Sequence, residues 1–208
     1  MSRDSLDQLR QTIAQHAARM MVEDGISDFA YAKKKAGRQL GVLEKSVLPS
    51  NAEIDEEVKL YHQLFNEDQP QDLQKLRKAA LVTMQLFERF NPYLTGSVLD
   101  GTAGKNAQTD IHLFADSAKE VEIFLLGQQI PFESDEKSYR LSDRPSKNKK
   151  DKVRKTVPLF TLETEYGLQR ISVFEFDDMR ISTKRPSDGS NASRADIADL
   201  QGIISQPT

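Results

Sequence analysis

The sequence predicts an α+β protein: an N-terminal helical region over residues 1–90, then a small mixed β-sheet with helices on one face over residues 91–208. Three observations lead there. Apolar residues recur at three- and four-residue steps through the first ninety positions. That period gives way after Asn91-Pro92 to short alternating runs, and two of the longest runs flank Glu165-Tyr166-Gly167, a good two-strand turn.

Each element has its own signal. Leu6, Leu9, Ile13, Ala17 and Met20 form one helical stripe ended by Gly25; Phe29, Ala32, Ala36 and Leu40 form a second, ended by Gly41. Ser50-Asn51-Ala52-Glu53 reads as a capping box ahead of Ile54, Val58, Tyr61 and Phe65. Pro70 opens a fourth helix carrying Leu73, Leu76, Ala80, Met84 and Phe87, and it closes near Phe90. Beyond it, residues 93–99 and 109–114 read as strands and Ser117 to Leu126 as a helix. Residues 130–134 and 138–142 read as separate extended pieces on either side of Asp135-Glu136. Two longer strands follow, at 157–164 and 168–178, and a last short helix starts near Ser193-Arg194-Ala195-Asp196.

Composition narrows the chemistry. The chain has 208 residues, no cysteine and three scattered histidines, so thiol catalysis and cysteine zinc sites are excluded and any metal must rest mainly on carboxylates. The formal charge of −3 gives no global argument for nucleic acid or a membrane. The charged N-terminus has no signal-peptide character and no eighteen apolar residues are consecutive, so the expectation is a cytoplasmic protein without a membrane partner. Local charge is more suggestive. Arg144 to Lys155 holds seven basic residues and one acid, read as a solvated basic loop with no aromatic residue to stack bases. Lys33, Lys34, Lys35 and Arg38 follow a glycine turn as in a helix-turn-helix, but three consecutive lysines cannot line one helix face, so nucleic acid has only weak support as a partner.

The chemistry-bearing stretch runs from Asn91 to Asp116. Gly101-Thr102-Ala103-Gly104-Lys105-Asn106 has the glycines and lysine of a phosphate loop and resembles that of the muramyl-peptide ligases, such as the one joining UDP-N-acetylmuramate to alanine. Those ligases carry Ser or Thr where Asn106 stands, and their loop opens a helix, whereas "NAQTDIHLF" reads as a turn and a strand. The ligase is therefore the disfavoured reading.

The stronger signal brackets that loop. A helix, a strand entering Gly96-Ser97, a turn and a strand containing Asp110-Ile111-His112 occur in that order. This order resembles the DNA polymerase beta-like nucleotidyltransferases, in particular the small bacterial members with a Gly-Ser and Asp-x-Asp core. The resemblance implies transfer of a nucleoside monophosphate from a nucleoside triphosphate, with Mg or Mn held by carboxylates on alternate strand positions. Carried over by position, Gly96 and Ser97 would contact the phosphates, with Lys105 as a further phosphate contact. Asp110 would be a metal ligand and catalytic, with His112 standing where the pattern has a second acid. An imidazole suits Mg poorly and Mn or Zn better. The third acid of the pattern would be Glu175, whose strand alternation puts it with Ile171 and Val173 and opposite Arg170 and Ser172. Catalysis thus rests on Asp110, His112 and Glu175. The alternative is a degenerate module that binds a nucleotide or a partner without chemistry. Acceptor and oligomeric state are not legible.

Overall fold

The computed structural model describes residues 3–141 and 154–206, apart from positions 27, 43, 106 and 188. The fold is α+β with a helical N-terminus, in element order α1 (Arg3–Glu23), α2 (Phe29–Gln39), α3 (Asn51–Phe65), α4 (Gln69–Leu86), β1 (Tyr93–Thr95), α5 (Ser97–Asp100), β2 (Thr109–Ala115), α6 (Ala118–Gly127), β3 (Glu133–Arg140), β4 (Arg154–Thr164), β5 (Gly167–Glu175) and α7 (Ile197–Ser205). No described helix is long and apolar enough to cross a membrane. The expected basic loop at 144–155 lies outside the described residues except for Arg154 and Lys155.

The chain divides into two compact units: Met1–Asp72 with Thr102–Ala107 and Pro186–Gly189 form the first, and Leu73–Gly101, Gln108–Arg185 and Ser190–Thr208 the second. In the first unit the small residues of α1 and α2 let three helices approach closely. Ile13, Ala14, Ala17 and Ala18 of α1 form one core with Ala32 and Ala36 of α2 and Ile54 and Val58 of α3. Asp28 caps α2 by accepting from the backbone N–H groups of Ala30 and Tyr31. The capping box at Ser50 and Glu53 is present at the start of α3.

The second unit is built on a five-stranded mixed sheet in the order β1-β2-β5-β4-β3. β2 runs parallel to β5, and α6 makes the first part of the connection between them; all other neighbours are antiparallel. α6 lies against β2 and β5, and its Phe124 sits edge-on to Phe87 and Phe90 at the end of α4. Ile111, Leu113, Ile171 and Val173 make the buried apolar face of the two central strands. Alternation puts Asp110, His112 and Phe114 on the other face, with Arg170, Ser172 and Phe174 beside them in register.

Two expected elements differ. The strand over residues 93–99 stops at Thr95, because Gly96 turns the chain with φ 75° and ψ −158° and Ser97–Asp100 form one helical turn. The two extended pieces around Asp135-Glu136 are one strand, β3, which runs through both acids. An edge strand needs an apolar pattern only where it packs, and its charges protect the unpaired edge.

Candidate functional site

The sheet is curled, and two side-chain bonds show how much. Lys137 of β3 donates to the Asp110 Oδ1 of β2 at 2.9 Å, although β4 and β5 lie between those strands. At about 4.8 Å per strand a flat sheet would hold β3 and β2 some 14 Å apart, more than a lysine side chain spans. Tyr139 reaches back in the same way, its hydroxyl 2.8 Å from Ser172 Oγ on β5. Twist and coiling of the sheet therefore make this face concave, with β3 folded over it.

Asp110 is the centre of the face. Its Oδ1 binds Lys137, and Arg170 Nε stands 3.5 Å away. Arg170 is oriented by Gln108, to whose Oε1 its Nη1 donates at 2.7 Å. Burial pushes the Asp110 carboxyl upward, but Lys137 and Arg170 together outweigh it and hold the group below the usual aspartate value. For Lys137 burial and the Arg170 charge act downward, and Asp110 with the Tyr139 hydroxyl outweighs them, so the ammonium is held above the usual lysine value. Both partners are charged, and each is only partly exposed, at 27 % for Lys137 and 21 % for Asp110.

Gly96 permits this arrangement. A Cβ built on it would lie 3.3 Å from Asp110 Oδ2, and its positive φ is one that side chains other than glycine rarely adopt. Gly96, at the junction of β1 and α5, therefore stands against Asp110 of β2.

His112 is placed differently from a ligand. It is 1 % exposed, its ring 4.7 Å from Phe174 and 5.1 Å from Tyr139, centroid to centroid. Neither ring nitrogen has a hydrogen-bond partner among the described residues. Burial pushes its pKa down to about 3; Asp110 opposes that, while Lys137 and Arg194 reinforce it. The imidazole is neutral and belongs to an aromatic layer with Tyr93, Phe114, Tyr139 and Phe174, over which Arg194 lies 5.2 Å from the Phe114 ring centre.

Glu175 does not join Asp110. It pairs in register with Ala115, five residues along from the Asp110–Arg170 pair, about 16 Å at the usual strand rise, and it points to the opposite face. It is 69 % exposed and bound to Lys155 at 3.2 Å. Lys155 also holds the buried Asp178 of the 3-10 turn that follows β5. Among the described residues no three His, Asp or Glu side chains converge as metal ligands, so the carboxylate set expected from Asp110, His112 and Glu175 is not assembled.

Lys105 is exposed in the loop 102–107, which belongs to the helical unit, whereas Gly96, Ser97 and Asp110 belong to the sheet unit. No helix follows Lys105; Ala107-Gln108 leads into β2. The loop is fixed by packing. His62 Nε2 donates to the Thr102 carbonyl at 3.0 Å and Gln69 to the Ala103 carbonyl at 2.9 Å. A Cβ on Gly104 would come within 3.3 Å of the His62 ring. The second glycine of the apparent phosphate loop is thus accounted for by close contact with His62 and Val22.

Lys137, Tyr139 and Arg194 carry no site signal of their own in the sequence, and Arg170 and Ser172 only mark a strand face. The usable signal was alternation: Lys137 and Tyr139 share one face of β3, as Arg170 and Ser172 do on β5. Compared with protein-family models, with curated proteins and with solved structures, the chain matches none.

Proposed function

We propose that the chain is a nucleotidyltransferase-like module that binds a nucleotide by its phosphates on the concave sheet face and does not perform two-metal nucleotidyl transfer. One observation carries this reading: the Lys137 ammonium occupies the Asp110 carboxylate at 2.9 Å, with Arg170 beside it, where the resemblance calls for further acids. Two-metal transfer needs several carboxylate oxygens around the ions. One carboxylate against two cations leaves the cluster net positive, which repels a divalent ion and attracts phosphate.

The binding half of the reading is supported by the succession of β1, the Gly96-Ser97 turn and β2, and by the close approach of Gly96 to Asp110. A neutral imidazole buried among aromatic rings cannot replace the missing acid at physiological pH. The residues present therefore do not fit a two-metal centre.

Equilibrium dialysis with the four labelled nucleoside triphosphates, together with a pyrophosphate-release assay in Mg or Mn, tests both halves. Binding of at least one nucleotide, weakened on the order of tenfold by Arg170→Met, is expected, since one phosphate contact to a charged donor is worth about 1.5–3 kcal/mol. No pyrophosphate release is expected. Release abolished by Asp110→Asn would restore the transferase, and failure of all four nucleotides to bind would remove the nucleotide reading altogether.

A further inference from the structure

The cation at Asp110 has a consequence for the form of the ligand. Resting on the nucleotide-binding reading above, we propose that Lys137 takes the place of a divalent metal as the counter-charge of Asp110, so that the site accepts the metal-free nucleotide and discriminates against its magnesium complex.

Lys137 is a built part of the fold. Its β3 backbone is paired with β4 over eight register positions, and its ammonium lies 5.0 Å from the Tyr139 ring centre while bonding Asp110. The curled sheet thus delivers one fixed positive charge to the mouth of the face. An ammonium carries three donors; the Asp110 bond uses one and the Tyr139 hydroxyl engages a second, which leaves a third. Phosphate oxygens can therefore be met by the same group that satisfies the aspartate, without a bridging ion.

Magnesium has no comparable seat. It requires near-octahedral oxygen ligation at about 2.0–2.1 Å and gives up its waters reluctantly. Asp110 Oδ1 is taken by Lys137, and Oδ2 faces the Gly96 backbone. The neighbouring groups on the face, His112, Ser172 and Tyr139, are neutral. Thr95, in register with Asp110, donates its hydroxyl to the Ser193 carbonyl at 3.0 Å. A magnesium-bound triphosphate would also bring a third cation against Lys137 and Arg170 while lowering the negative charge they attract. Magnesium then acts as a competitor, by sequestering the free nucleotide.

The decisive comparison is the affinity of the full chain for each labelled nucleoside triphosphate, measured in EDTA and in excess magnesium. The expected result is binding in EDTA that weakens on the order of tenfold or more when magnesium complexes the nucleotide, with the loss reversed by added EDTA. Lys137→Glu, which puts a second carboxylate beside Asp110, is expected to reverse the preference, binding in magnesium and not in EDTA. If the parent chain binds only with magnesium, the inference is overturned while the nucleotide-binding reading stands. If it binds no nucleotide in either condition, that reading fails and the inference with it. Because the parent protein alone decides the sign of the magnesium effect, a Lys137 variant that does not fold leaves the test intact.

Discussion

His112 gives the face a pH signature. Its folded pKa of about 3 lies below the value of about 6.5 of an unfolded histidine, so between those values the unfolded chain binds one more proton than the folded one. Its contribution to stability is full above pH 6.5 and is lost as pH falls, by about 1.4 kcal/mol per unit toward pH 3. His62, also lowered by burial, adds a loss of the same sign in the helical unit. Replacing His112 with phenylalanine, like its neighbours Phe114 and Phe174, removes a buried donor that has no partner among the described residues. That change is expected to be neutral or stabilising at pH 7, since such an unpaired group costs about 1–3 kcal/mol. Denaturant unfolding at pH 7 and pH 5 should then show the parent losing about 2 kcal/mol more than His112→Phe. A parent and variant that lose stability equally would mean that His112 is hydrated or paired. Lys137 and Asp110 are coupled as well. A double-mutant cycle with Lys137→Met and Asp110→Asn is expected to give a coupling of about 1–2 kcal/mol, below that of a fully buried pair because both groups keep some contact with water.

At the scale of elements, the Gly96 turn is the most sensitive joint. Gly96→Ala forces a β-carbon against the Asp110 carboxylate in a backbone region that side chains avoid, with an expected cost of about 1–3 kcal/mol in thermal or denaturant unfolding. Ser50→Ala removes one half of the α3 capping box and is expected to cost about 1 kcal/mol. The contrast between these two sites explains what could be read beforehand. The capping box, the helical stripes of α1 to α4 and the hairpin turn at Glu165-Tyr166 are local, and each was legible because neighbouring residues along the chain make the structure. The opposition of Glu175 and Arg170 on β5 was also legible, since alternation within a strand is local, but which of those faces carries Asp110 depends on the β2–β5 register and was not. β3 was not, because most of its residues are exposed and polar on a sheet edge and only its second half, from Lys137, is partly buried. Nor was the Asp110–Lys137 bond, which joins two strands with two others between them and depends on sheet curl.

At the scale of the molecule, the net charge of −3 hides a local reversal on the concave face. Lys137 and Arg170 flank the Asp110 carboxylate there, while Glu175 and Asp178 bind Lys155 and Asp100 binds Arg185 at 2.8 Å. The charge around Asp110 thus has the opposite sign from that of a site that gathers divalent metal ions. Titration of the protein into Mn²⁺, followed by the electron paramagnetic resonance signal of the free ion, tests that reversal without assuming any nucleotide. The signal is expected to persist undiminished with the parent chain and with Asp110→Asn alike. Loss of the free-ion signal with the parent, restored by Asp110→Asn, would contradict the assignment of Lys137 as the cation of this site.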